Sequence, residues 1–89
     1  MPYRIKITAD AERDVRQLPG HVRQRAWGMI NALAGDPRPS GARELRGYPG
    51  YYRIRLDGWR LIYHVYDNDQ VILILHLRRK TGPQTYGDL

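Results

Sequence analysis

The chain has 89 residues, a formal net charge of +6 and a sequence pI near 10.1. That length suits one domain, residues 1–89, with a modest core. The absence of cysteine excludes a disulfide framework and a thiolate metal site, and the basic balance favours an acidic partner: nucleic acid, an anionic membrane face or an acidic protein.

The N-terminal stretch MPYRIKITAD lacks the apolar run of a secretory leader. No apolar run approaches the roughly 20 residues that span a bilayer. The expected location is therefore the cytoplasm, away from any membrane. Tyr3 to Thr8 alternates and contains β-branched residues, so it reads as a strand. Thr8 suits a helix N-cap, with Asp10 and Glu12 in the first turn, where the helix dipole favours acids. Ala11, Val15 and Leu18 recur at helical spacing, predicting a helix from about Ala9 to Leu18 that Pro19-Gly20 breaks. A second helix starts near His21 or Val22. Its stripe of Val22, Ala26, Met29, Ile30 and Leu33 reads as core, and Gly35, Pro37 and Pro39 end it. Residues 36–50 form a loop rich in Pro, Gly and Arg, interrupted by Ala42 to Leu45.

Next comes YYRIRLDGWRLIY, residues 51–63. Asp57-Gly58 predicts a two-residue type I′ hairpin turn, with φ > 0 at both positions. Leu56 then faces Trp59, Arg55 faces Arg60, Ile54 faces Leu61, Arg53 faces Ile62, Tyr52 faces Tyr63 and Tyr51 faces His64. Alternation puts Tyr52, Ile54, Leu56, Trp59, Leu61, Tyr63 and Val65 on a core face. Tyr51, Arg53, Arg55, Arg60, Ile62 and His64 share the other face. Like charges so placed cost about a few tenths to 1 kcal/mol. Either the arginines are solvated cover, or the face is built for an anion. All but two of the 15 basic residues, Lys6 and Lys80, are arginine, whose planar donor fork suits phosphate. Asp67-Asn68-Asp69 is a further turn. Val71 to Leu77 is a near-continuous apolar run that suits a central strand covered on both faces. The chain ends in the basic, turn-rich RRKTGPQTYGDL. His21, His64 and His76 show no metal-ligand spacing. The expected class is α+β, in the order β-α-α-β-β-β, with a helical hairpin on one face of a small, mostly antiparallel sheet. The opposite face is left partly open and carries the arginines.

That order of elements, the pair of short helices, the phrase ELRGYPGYYRIRLDGWRLIYHV and a terminal basic stretch ending in a tyrosine resemble the RelE/ParE toxin superfamily. These are the toxin halves of bacterial type II toxin–antitoxin modules. The resemblance covers essentially the whole chain and is most specific from Leu45 to Tyr63. It implies either ribosome-dependent cleavage of messenger RNA in the A site, as in RelE-type members, or poisoning of DNA gyrase, as in ParE-type members. A third possibility is an inactive homologue that acts only with its antitoxin. Fold does not choose among these.

For the RelE branch, the resemblance implies a catalytic set of Arg53, Arg55, Arg60, Arg79 and Tyr86. Arg53 and Arg55 match two basic residues on the first hairpin strand, Arg60 an arginine on the second, and Tyr86 a terminal tyrosine. Arg79 and Lys80 both stand near the post-strand basic position. Arg79 is taken for the chemistry, although Gly82-Pro83 departs from the shorter charged turn of many members. Lys80, Arg78 and Tyr51 are assigned to RNA binding. Such an enzyme needs the 2′-oxygen deprotonated for in-line attack, the phosphorane stabilised and the 5′-oxygen protonated. No glutamate–histidine pair at suitable spacing is present, and the resemblance implies that arginines and a tyrosine carry these roles instead. The implied partners are a cognate antitoxin, the ribosome and its message, and operator DNA bound by the toxin–antitoxin complex. No metal or organic cofactor is implied. The bland readings are packing for Tyr86, ribosomal RNA contact for Arg79 and Lys80, and a satisfied core histidine for His76. Arg13, Arg16, Arg23 and Arg25 read as a solvated helix surface.

Overall fold

The computed structural model describes residues 2–79. Strand β1 (Arg4–Ile7) leads into helices α1 (Ala9–Arg16) and α2 (Gly20–Ala32). Strands β2 (Arg43–Glu44), β3 (Tyr51–Leu56), β4 (Trp59–Tyr66) and β5 (Val71–Arg79) follow. The sheet order is β1-β5-β4-β3-β2, with β1 parallel to β5 and every other pairing antiparallel.

The helices form where expected. The Thr8 hydroxyl accepts a hydrogen bond from the Ala11 amide at 3.0 Å, capping α1. Val15 and Ala11 from α1, and Val22, Ala26 and Ile30 from α2, bury against Leu61, Tyr63, Ile72, Ile74 and Leu77 of the sheet. Leu18 lies past the end of α1 yet joins the same core. No helix among the described residues is long and apolar enough to cross a membrane.

Three features differ from expectation. The interruption at Ala42 to Leu45 contains a two-residue edge strand, β2, paired with β3; two residues are too few to show alternation. The hairpin turn carries a positive φ at Asp57 (53°), whereas the glycines with positive φ are Gly47 and Gly50. Only the first of the two central positions then has the positive φ that type I′ requires at both. Finally, β5 lies inside the sheet but is only partly covered on the side away from the helices, where Val71 alone of its apolar residues is buried. Leu73, Leu75 and His76 are half-exposed there.

A bulge produces that last arrangement. Ile62 pairs with His76 and Tyr63 with Ile74, so Leu75 is the extra residue on β5. Strict alternation would send Ile72 and Ile74 to one face and Leu77 to the other. The bulge lets all three bury on the helix side. Strand β1 covers β5 only as far as Ile74. Beyond it, α1 satisfies the open edge: the Thr8 hydroxyl donates to the Leu75 carbonyl at 3.0 Å, and the Leu77 amide donates to Asp14 Oδ2 at 3.0 Å.

Candidate functional site

The hairpin register agrees pair for pair with the alternation read from the sequence. Because the helices cover one face of the sheet, the rows on the other face follow from pairing alone. Arg55, Arg60 and Arg78 form one row across β3, β4 and β5. Arg43, Arg53, Ile62 and His76 form the next. Tyr51, His64, Leu73 and Lys6 form the third, and Tyr66, Val71 and Arg4 the fourth. One end of the face is therefore an arginine cluster, and its middle is aromatic.

Arg60 sits in the centre of the first row and is only 8% exposed, the one charged side chain in the buried set among the described residues. The expected open face is thus closed at Arg60 and at Ile62, which is also buried. A middle strand flanked by long side chains on both neighbours is shielded even without a helix above it. Arg53 and Arg55 make no ion pair or side-chain hydrogen bond among the described residues. The nearest acid in sequence, Asp57, is engaged elsewhere: Arg25 of α2 donates to its Oδ2 at 2.7 Å. A row of arginines is suited to a phosphate, because arginine presents several fixed donors to an oxyanion.

The remaining expected site residues divide. Arg78 joins the row with Arg60, and its Nε lies 3.4 Å from Asp14 Oδ2. Arg79 pairs with Trp59 and so belongs to the opposite face, where its guanidinium lies 4.7 Å from the indole centroid. One residue of alternation separates the two arginines and sends them to different sides. Tyr51 packs edge-on against His64 at 4.2 Å, on the arginine face. Lys80 and Tyr86 lie outside the described residues. The helix arginines lie on the surface as expected: Arg13 reaches Asp10 and Arg16 reaches Glu12, each at 3.4 Å.

Two histidines border the cluster. The His64 ring lies between Tyr51 and Tyr66, and Gly50 packs under it so closely that a Cβ there would fall 2.8 Å from Nε2. Its Nδ1 is buried without a hydrogen-bond partner among the described residues, and burial lowers its pKa. His76 shares that state. Burial lowers its pKa first and the Arg78 charge second, opposed by Asp14 and Asp10. Both imidazoles are neutral and preorganise the face more than they charge it.

The sequence reading missed Arg43, which needs the β2 pairing to find it, and Arg4 and Lys6, whose face is set only by β1 lying beside β5. Tyr66 was within reach, because it shares parity with Arg60, Ile62 and His64 along β4.

A family model described as "ParE toxin of type II toxin-antitoxin system, parDE" matches residues 5–81. The chain is 28% identical over 90 residues to the mRNA interferase toxin RelE of Escherichia coli K12, covering 99% of this chain and 94% of the relative. It is 30% identical over 73 residues to toxin RelE3 of Methanocaldococcus jannaschii, covering 78% of this chain and 82% of the relative. Among solved structures it is similar to the toxin of the archaeal RelE–RelB complex from Pyrococcus horikoshii OT3. That match has a TM-score of 0.82 and 31% identity, over 93% of this chain and all of the other.

Proposed function

We propose, since this chain belongs to the ParE toxin family of type II toxin–antitoxin systems within the RelE/ParE superfamily, that it is the toxin of such a module and acts as an mRNA interferase that cleaves its message on the ribosome. The observation that carries this reading is the gathering of Arg53, Arg55, Arg60 and Arg78 on the sheet face that no helix covers, where pairing sets Arg55, Arg60 and Arg78 in one row with Arg53 beside it.

In this reading the scissile phosphate sits against Arg60. Arg53 and Arg55 flank it and stabilise the phosphorane as negative charge builds, the preorganised electrostatic term that often dominates catalysis. The 2′-oxygen gives up its proton and attacks phosphorus in line, the bond from phosphorus to the 5′-oxygen breaks, and that oxygen takes up a proton. A cyclic 2′,3′-phosphate and a 5′-hydroxyl result, with no metal in the scheme. The register favours Arg78 over Arg79 for the post-strand cation, because Arg78 faces the row and Arg79 faces Trp59. An arginine, with a pKa above about 12, is a poor proton donor. Arg78 therefore serves better as an electrostatic clamp than as the general acid. The parts given to Lys80 and Tyr86 rest on the resemblance alone. A set so poor in acids and bases fits an enzyme whose substrate is bent and presented by the ribosome.

The cognate partner is an antitoxin, as in the RelB–RelE complexes that share this fold. An acidic or amphipathic segment that orders on binding would neutralise the arginine face, and the pair together would bind operator DNA. The site of action is the cytoplasm, where the message is translated.

The deciding experiment adds the purified protein to a reconstituted translation reaction and maps message ends by primer extension, beside Arg60→Ala and a ribosome-free control. Ribosome-dependent ends at fixed positions within codons, lost in the variant, are the expected result. Intact messages sink the proposal. The family description names ParE toxins, so a non-catalytic inhibitor of DNA gyrase is the second reading, and a supercoiling assay then tests it.

A further inference from the structure

We infer that the far end of the same sheet face is a second RNA subsite, in which Tyr66 stacks on a nucleobase while Arg4 and Lys6 hold a neighbouring phosphate of the same single strand. The inference rests on the reading that message RNA lies along this face.

Tyr66 lies on an interior strand, yet it is 40% exposed, one of two large apolar side chains so exposed among the described residues. Its ring is held from one side by His64, with centroids 4.2 Å apart and planes tilted by 42°. The rest of the ring borders a depression that it lines with Arg4, Lys6, Asp69, Val71 and Leu73. Pairing fixes the cations beside it. Arg4 and Tyr66 are both registered to Val71, and Lys6 and His64 are both registered to Leu73. Arg4 and Lys6 are exposed and make no ion pair or side-chain hydrogen bond among the described residues. Asp69, also on the rim, repels a phosphate and confines it to the β1 side.

An aromatic face beside cations that follow the backbone is the general solution for binding single-stranded nucleic acid. The two cationic ends are joined along β4 by the residues from Arg60 to Tyr66, about 20 Å of strand at ~3.3 Å per residue. One nucleotide does not cover that span, so a strand anchored by its scissile phosphate at Arg60 reaches Tyr66 only with bases beyond the cleaved one. The subsite therefore acts on affinity and on preference for flanking sequence, not on the chemical step.

The test uses the full chain and a fluorescein-labelled, 2′-O-methylated single-stranded RNA octamer, which has no free 2′-hydroxyl to attack. Binding is read by anisotropy as salt is varied, for wild type, Tyr66→Leu, Tyr66→Phe and Arg4→Gln/Lys6→Gln. Thermal melts establish that each variant folds. Tyr66→Leu should weaken binding about ten-fold, and Tyr66→Phe, which keeps the stacking face, should bind like wild type. The double variant should bind more weakly, with a salt slope shallower by about 0.7 for each phosphate no longer neutralised. Wild type that does not bind the octamer, or Tyr66→Leu that binds as wild type does, overturns the subsite. So does a Tyr66→Leu protein that keeps the octamer but loses its antitoxin, since the face then belongs to a protein partner. The two readings fail separately. Octamer binding that depends on Tyr66 beside uncleaved messages removes the nuclease and keeps the subsite. Arg60-dependent cleavage with octamer binding indifferent to Tyr66 does the reverse.

Discussion

Four arginines of the helices and the loops stand in contrast to Arg53 and Arg55 of the uncovered sheet face. Arg13, Arg16, Arg25 and Arg38 each have a carboxylate within 3.4 Å. Arg38 also donates from Nε to the Tyr52 hydroxyl at 2.8 Å, while Asp67 accepts from the Tyr3 hydroxyl at 2.7 Å. Arg53 and Arg55 have no such partner among the described residues. Exposed ion pairs contribute little to stability, so the contrast is about placement. The acids that reach these arginines stand on the helices and at the loops, and on the sheet face Arg78 reaches one of them, Asp14. The sheet face is left with repulsion that a phosphate can relieve.

The most damaging way to break this comparison is at Arg60. Arg60→Ala should lower cleavage about 10²- to 10³-fold, the usual loss for a preorganised oxyanion donor. Arg60→Lys, which keeps charge but not the planar fork, should recover only part of it. Primer extension with matched melting curves checks both, and equal activity in all three proteins would return the face to solvated cover.

Gly50→Ala probes the support beneath the aromatic middle of the face. Gly50 has φ 85°, and the added Cβ would meet His64 Nε2 at 2.8 Å. A stability loss of about 1–3 kcal/mol is expected for forcing a side chain into that backbone region, read from urea unfolding midpoints.

Arg55→Gln should act in opposite directions on activity and stability. Removing one of two like charges paired across the hairpin should stabilise the chain by a few tenths to about 1 kcal/mol, while cleavage falls about ten-fold, a smaller share of the electrostatic term than Arg60 holds. A variant that loses both, or neither, contradicts a site held together against its own repulsion.

The pH dependence sharpens the contrast further. The folded pKa values of His64 and His76 lie below the ordinary 6.5, chiefly through burial. Between the two values the unfolded chain binds protons that the folded chain does not. Stability is then full above about 6.5 and falls as the pH drops through the depressed values. Melting temperatures from pH 8 to pH 5 should decline, and His64→Gln should flatten part of that decline. Asp67, held below its ordinary 3.8 by Arg38 and then by Tyr3, acts only at more acid pH, again losing its contribution as pH falls.

The mildest effect belongs to the paired side. Arg38→Ala removes the bond to Tyr52 and the pair with Asp67, so the melting temperature should fall slightly while cleavage is unchanged. Loss of cleavage there would erase the distinction between the two regions.

Much of this was legible in the chain itself because it depends on neighbours in sequence. Thr8 caps α1, and Val15 and Ile30 fall on buried stripes, because helical periodicity is local. The hairpin register from Tyr51 to His64 followed from a two-residue turn and period-two alternation, which already set Arg53, Arg55 and Arg60 on one face. What remained depends on residues far apart in the chain. Which side of the molecule Arg4 and Lys6 join is decided by β1 lying parallel to β5. Whether Arg78 or Arg79 faces Arg60 is decided by the pairing of β5 with β4 and the bulge at Leu75, and strand periodicity alone does not choose between them. A hairpin closes through its own turn, so its sequence suffices to register it. A strand brought in from a distance takes its register from the core it must bury, and here that demand, Ile72, Ile74 and Leu77 all against the helices, placed the last arginine of the cluster.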